Sequence, residues 1–383
     1  MSQINVRNLS NENEDGAPDI VGVSTFSATS YFVPPKGTTA QRPDNPQGGD
    51  LRFNTDTASL EYFRGDTLGW SQIEMTSPDL NGGARALFWC GQTPSNTDRI
   101  DAITISTMGS NLDFGNFSDS RQRLACCASN TRGIGAMGFT SGFETNIRYV
   151  TFATQGTADA DVTTTFGSVT GGGRNRACGA SNQTRGLFIG GNPSTTNITY
   201  ITIAETGSSV DFGDLTIGRQ GLEAMSSSTR SVIASGWSDI SPLNPGTYVN
   251  TVDYVTISTT GNALDFGDTT TNAVLEGAAC SNSIHGLFAG GYTPGPVLKK
   301  NIDHFTLATL GSVTDFGDLS VGRRDHGAAS SPTRAIFGGG TNPAVTDTIE
   351  SVQFGSTGTY TSFGTLTLAR TATTACSNAH GGL

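Results

Sequence analysis

Residues 198–213 read Ile198-Thr-Tyr-Ile-Thr-Ile203, then a Gly207-Ser208 turn, then Val210-Asp-Phe-Gly213. In an extended chain Ile201 and Ile203 share one face, and Ile198 and Tyr200 share the other. Apolar groups on both faces predict a strand in a sheet buried on both sides, as in blades stacked about an axis; a two-sheet sandwich shows cleaner in/out alternation. The phrase recurs at 100–105, 147–152, 252–257, 302–307 and 349–354. Asp-Phe-Gly recurs at Asp113, Asp211, Asp265 and Asp315, and two copies keep only Phe166-Gly167 and Phe363-Gly364. The Phe-to-Phe spacings are 52, 46, 54, 50 and 47. A period near fifty built of short strand-like runs predicts a β-propeller rather than a helical solenoid.

Each copy divides into four strands. In the third they are Ala177–Ser181, Gly186–Gly191, Ile198–Ile203 and the run from Val210, with turns at Asn182–Arg185 and Gly207-Ser208. The paired glycines at Gly190-Gly191, Gly290-Gly291 and Gly338-Gly339-Gly340 fit strand ends where backbones crowd. The ends of the chain set the count. Ala86–Gly91 has no first strand before it, and Thr373–Ser377 is a spare first strand. Pairing these two closes a ring and removes two sheet edges. The expected fold is therefore all-β: a six-bladed propeller over 81–383, preceded by an extended arm and linker (1–48) and a small β-meander (49–80).

Composition agrees. Gly reaches 50 and charged residues only 14%, which suits turns and strands rather than helices. The net charge of −11 argues against a nucleic-acid footprint, which needs clustered Lys and Arg. No apolar run is long enough to span a membrane. The opening Met1-Ser-Gln-Ile-Asn-Val-Arg7 lacks a signal-peptide layout, so synthesis in a cytoplasm is expected. Cys90, Cys126, Cys127, Cys178, Cys280 and Cys376 form no C-x-x-C pair. They are read as small buried hydrophobes rather than ligands or disulfides.

Residues 8–18 are polar and read as a flexible or partner-ordered segment. Ile20–Phe26 is a candidate strand, and Pro34–Gly49 an extended connector. The runs from Leu51, Leu60–Gly65 and Trp70–Glu74 form the meander, which is marginal alone.

Gly286-Leu-Phe-Ala-Gly-Gly291 resembles the kelch propeller unit, without the Tyr and Trp that kelch repeats carry after the glycines. A fuller resemblance covers nearly the whole chain. Tyr254–Asp268, with its Thr-Gly-Asn-Ala-Leu-Asp-Phe-Gly-Asp ending, and Gly49-Asp-Leu-Arg-Phe-Asn-Thr-Asp-Thr-Ala-Ser-Leu-Glu-Tyr-Phe63 are similar to stretches of kelch-like virion structural proteins of tailed phages, cyanophages in particular. The resemblance implies a virion part whose N-terminal 1–80 contacts other virion proteins. A homo-oligomer, taken as a trimer, is expected by analogy with fibres.

A basic residue opens the second strand in all copies: Arg85, Arg132, Arg185, Arg230, His285 and Arg334. One reading is a platform for anions or glycan carboxylates. The favoured one is structural, each pairing with an Asp of the Asp-Phe-Gly turns, Asp113, Asp211, Asp265 or Asp315. A second basic position, Arg121, Arg174, Arg219, Arg323 and Arg370, reads as blade-linking ion pairs. It is missing in the fourth copy, where Asn272 or Ala273 stands. The loops between second and third strands diverge most. Trp237 and Tyr248, then Tyr292, Lys299 and Lys300, are the candidate recognition residues.

Catalysis finds little support. The histidines are dispersed, and no H-E-x-x-H, G-x-S-x-G, EF-hand, P-loop or Asp-box motif is present. Asp159 and Asp161 read as solvated loop carboxylates. No catalytic residue, metal or cofactor is expected. The expected protein is a non-enzymatic virion part, tail-fibre or tail-appendage-like, displaying its propeller toward a host-surface glycan, receptor or protein. The alternatives are a head decoration or head fibre, a glycan-degrading enzyme, and a cellular kelch-type adaptor.

Overall fold

A computed structural model of the chain describes residues 34–383, apart from 57–58, 73–83, 110, 154–159, 241–245, 270–273, 296, 312, 357 and 359. The segment 8–18, the strand expected at Ile20–Phe26, Asp159, Asn272 and Ala273 fall outside the described residues. The chain divides into two units, Met1–Thr76 and Ser77–Leu383.

In the first unit Leu51–Asn54, Ser59–Phe63 and Trp70–Gln72 form the expected meander. A fourth strand, Lys36–Gly37, joins it in parallel opposite Phe53 and Asn54. Part of the stretch read as a connector is therefore folded onto the meander. Glu61 explains why. Its buried carboxylate accepts from Arg42 at 2.7 Å and from Asn54 at 3.1 Å. Those hydrogen bonds, Arg42's first, hold it below the usual carboxylate range despite desolvation.

The second unit is all-β and propeller-like. Among its described residues lie six four-stranded antiparallel sheets. Sheet I comprises Thr374–Ser377, Arg85–Gln92, Asn96–Thr104 and Asn111–Arg121; sheet II, Ala125–Ala128, Arg132–Ala136, Asn146–Thr151 and Thr164–Ser168; sheet III, Cys178–Ser181, Arg185–Ile189, Thr195–Thr202 and Val210–Arg219. Sheet IV comprises Glu223–Ser226, Arg230–Ala234, Thr251–Thr256 and Leu264–Asp268; sheet V, Ala278–Ser281, His285–Ala289, Asn301–Thr306 and Val313–Asp318; sheet VI, Gly327–Ser330, Arg334–Gly338, Thr348–Gln353 and Thr361–Thr365. In sheet I the first strand comes from the far end of the sequence, with Thr374 opposite Trp89 and Ser377 opposite Ala86.

Both faces of the third strands are buried, each against a different neighbour. Ile201 and Ile203 pack with Ile134 of sheet II, whereas Ile198 and Tyr200 pack with Val255 and Ile257 of sheet IV. First strands lie beside one another in the order I to VI, and VI again meets I. Close approach demands small residues there: a Cβ on Gly179 would stand 2.1 Å from the Cys126 carbonyl oxygen. Serine hydroxyls stitch these strands. Ser181 donates to Ala128 O at 2.8 Å, Ser281 to Ser226 O at 2.7 Å, Ser330 to Ser281 O at 2.7 Å and Ser377 to Ser330 O at 2.6 Å. All six cysteines are buried. Burial raises their thiols, Cys90 and Cys376 to about 12.

Candidate functional site

Each first strand is entered through a short connection with one residue at a fixed place: Arg123, Arg176, Gly221, Glu276, Asp325 and Ala372. Their φ angles are 55°, 52°, 63°, 58°, 55° and 55°. For the five that are not glycine this left-handed backbone costs about 1–2 kcal/mol each. Neighbouring connections hold it in place. Arg123 N donates to Ala372 O at 3.0 Å, Gly221 N to Arg176 O at 2.9 Å, Glu276 N to Gly221 O at 3.2 Å and Asp325 N to Glu276 O at 2.9 Å. The residues form an annulus at one end of the channel that the first strands line. A cavity of ≈ 70 Å³ lies there. Because strands one and two are antiparallel, with Cys178 opposite Ile189, the second-to-third-strand loops emerge at this same end.

The annulus repeats in backbone but not in charge. Glu276 receives Arg123 at 3.0 Å, Arg176 at 2.7 Å and Arg324 at 3.4 Å, and Arg123 also reaches Asp325 at 3.2 Å. Desolvation opposes the charge on Glu276, yet Arg123 and Arg176 hold its carboxyl below the usual range. Burial and the Glu276 charge push Asp325 up to about 7. Burial, then the Asp325 charge, pushes the lining residue Glu223 up to about 8. Carboxyls displaced this far beside guanidinium groups mark candidate functional sites.

Three of the recognition residues proposed from sequence converge here. Tyr292 meets Tyr248 edge-on, centroids 6.0 Å apart, and Arg324 lies 4.7 Å over the Tyr292 ring. Trp237 pairs with Tyr248 across a two-stranded ribbon. Burial and the nearby Glu276 charge raise the Tyr292 hydroxyl to about 12. Lys300 pairs instead with Asp318 at 2.8 Å, both exposed, and Lys299 N donates to Gly291 O at 2.8 Å.

The residues opening the second strands stand at the opposite end, and their partners correct the expected Arg–Asp pairing. Arg85 donates to Phe152 O at 2.6 Å, Arg132 to Ile203 O at 2.9 Å, Arg185 to Ile257 O at 3.1 Å, Arg230 to Leu307 O at 2.9 Å and Arg334 to Ile105 O at 2.8 Å. Each thus caps the third strand of the following sheet. Arg132, Arg185 and Arg230 also lie 4.5, 4.6 and 4.4 Å over Tyr149, Tyr200 and Tyr254 of their own sheets. In sheet V the pair becomes His285 and His304, ring nitrogens 2.9 Å apart. The Asp-Phe-Gly aspartates serve locally: Asp113 and Asp265 accept from Gly115 N at 3.0 Å and Gly267 N at 3.1 Å. Asp211 and Asp315 occupy the same exposed strand-four position.

At the second basic position three residues link sheets as expected, through Arg219–Asp253 at 3.0 Å, Arg370–Asp101 at 3.3 Å and Arg323–Glu350; Arg121 instead pairs with Asp119 of its own strand, and Arg174 donates to Gly190 O at 3.1 Å. In the fourth copy Val274 fills its place, two residues before Glu276 as Arg219 is before Gly221, rather than Asn272 or Ala273. At the channel's far end His380 Nε2 lies 3.0 Å from Ala128 O, and Gly381 N donates to Ser281 O at 2.7 Å. That end is crossed by the chain; among the described residues the annulus end is not.

No metal-ligating group of three or more His, Cys, Asp or Glu occurs among the described residues, and none of their helices is long and apolar enough to cross a membrane. No protein-family model matches the sequence, and no curated protein matches it. Among solved structures, one described as "Structure of YjhT" superposes with a TM-score of 0.53 at 13% identity, covering 67% of this chain and 87% of that chain. At that identity the likeness is one of fold.

Proposed function

We propose that this chain is a non-enzymatic virion structural protein of a tailed phage, tail-fibre or tail-appendage-like. Residues 1–80 hold the particle, and a closed six-bladed kelch-like propeller is displayed outward, its annulus face turned to the host surface or a partner protein. One observation carries the recognition reading. Positions that repeat through the sheets are spent on joining them, whereas the annulus face breaks the repeat in charge and in aromatic content. Binding residues concentrate on loops of rigid scaffolds. The six sheets, the Thr374–Ser377 pairing and the contact of sheet VI with sheet I support six blades and closure. The phage assignment is supported by the resemblance of Gly49–Phe63 and Tyr254–Asp268.

Deleting residues 1–76 tests the attachment half: the truncated protein is expected to be absent from purified particles while full-length protein is incorporated. Incorporation of the truncated chain overturns it. A second reading, an enzyme acting on glycan, draws on the displaced carboxyls of Glu223 and Asp325. Reducing-sugar release from host envelope by purified protein promotes it.

A further inference from the structure

We propose that the annulus binds the carboxylate of an acidic sugar, held by Arg123, Arg176 and Arg324 with the sugar ring against Tyr292 and Tyr248. This rests on the reading of that face as the recognition surface and names the ligand class it takes.

The donor surplus carries the argument. Three guanidinium groups present about fifteen N–H donors. Among the described residues their acceptors are the Glu276 and Asp325 carboxylates and Gln220 Oε1, which Arg176 Nη1 reaches at 3.3 Å. Arg176 Nε is buried and meets no acceptor among the described residues. A planar acceptor with two oxygens satisfies such a fork better than any neutral group. Charge points the same way. The chain carries −11 overall, yet three guanidinium groups here face Glu276, with Asp325 and Glu223 displaced to about 7 and about 8. The guanidinium groups outnumber the charged carboxylates, which leaves this end of the channel positive and attractive to an anion.

The aromatic wall selects the rest of the ligand. Arg324 covers one face of Tyr292, with Tyr248 edge-on to it, and the partly exposed remainder of both rings lies beside the donors. The C–H face of a pyranose covers such a surface while its hydroxyls stay in water. A cavity of ≈ 70 Å³ lined by Arg123, Arg176, Glu276 and Asp325 admits the carboxylate end of a ligand; Arg324 and the two tyrosines lie outside that lining, where the ring would rest.

The test is titration of full-length protein with glucuronate, glucose and glutamate by calorimetry and ligand-observed NMR. Glucuronate is expected to bind, with glucose at least about tenfold weaker for want of the charge-assisted bonds. Glutamate is expected to bind more weakly than glucuronate. Arg324→Ala, which removes a half-exposed side chain, is expected to weaken glucuronate about tenfold with an unchanged melting curve. Arg176→Gln serves if that variant fails to fold, and Lys300→Ala is expected to change nothing. Equal binding of glucose overturns the carboxylate assignment, equal binding of glutamate overturns the sugar assignment, and no binding of glucuronate overturns both. None of these failures touches particle attachment through residues 1–80.

Discussion

Asn378 Oδ1 accepts the backbone N–H of Arg85 at 2.7 Å, and Asn378 N donates back to Arg85 O at 3.1 Å. Asn182 makes the same pair of bonds to Arg185, and Asn282 to His285, within continuous turns. The turn between first and second strands of sheet I is thus rebuilt by residues from opposite ends of the repeat region. Truncation after Thr373 is expected to abolish cooperative thermal unfolding, because it exposes the edge at Arg85–Gln92. Moving residues 374–383 to precede residue 84 is expected to restore it. Circular dichroism melts of the truncated and permuted chains check both outcomes.

The ion pair of Arg219 with Asp253 is sealed from solvent on both sides. Asp253 also accepts from Thr216 Oγ1 at 2.6 Å. Thr367 with Asp101 and Ser320 with Glu350 repeat the arrangement. Where the acid becomes Thr199, Arg174 turns to Gly190 O at 3.1 Å instead, and desolvation lowers its pKa. Asp253→Ala leaves a buried guanidinium without its counter-charge and is expected to cost about 3–5 kcal/mol. Removing the exposed Lys300 partner of Asp318 is expected to leave the denaturation midpoint unchanged.

Sheet V has lost the arginine that caps the following sheet. The double change His285→Arg with His304→Tyr restores the arrangement of Arg185 and Tyr200 and is expected to stabilise by about 1 kcal/mol. Burial, then His285, lowers the His304 pKa, so the unfolded chain takes up the proton first and the stability that neutral His304 contributes is lost as pH drops below about 6.5. Comparing urea midpoints at pH 7 and pH 5 tests both effects; the double variant is expected to lose part of the acid sensitivity.

The annulus carboxyls act with the opposite sign over an overlapping range. Glu223 and Asp325 hold protons up to about 8 and about 7 when folded, whereas their unfolded counterparts lose them near 4. The folded state therefore binds more protons between about pH 4 and about 8, so the stability these two groups contribute declines as pH rises through that range and levels off above it. Facing them are Arg123, Arg176, Arg324, Glu276, Tyr292 and Tyr248; His326 is lowered to about 3 by burial and the Arg323 charge and stays neutral throughout this window. Glu223→Gln is expected to flatten the decline in melting temperature, and an unchanged slope contradicts the assignment of that proton.

The repeat period, the two apolar faces of Ile198–Ile203 and the spare strand at Thr373–Ser377 were legible because burial writes itself into alternation. The Arg–carbonyl caps were not, since a recurring Arg beside a recurring Asp reads as a pair until the guanidinium's reach into the next sheet is known. Val274 was misplaced because connections of unequal length hide the register that the left-handed residue fixes. Arg123, Arg176, Glu276 and Asp325 were missed although they share one repeat position. Their change of sign from copy to copy was the available signal. Lys36–Gly37 joins the N-terminal sheet through two residues, too few for any periodicity.

The most direct test of the account is cryo-electron microscopy of virus particles purified from the culture that produces this chain. The account predicts ring-shaped density for residues 84–383 on the outside of the tail or its fibres, with Arg123, Glu276 and Tyr292 facing away from the particle and the N-terminal unit against a neighbouring virion protein. Absence of the chain from the particle, or a ring whose annulus face is buried against the capsid lattice, contradicts it.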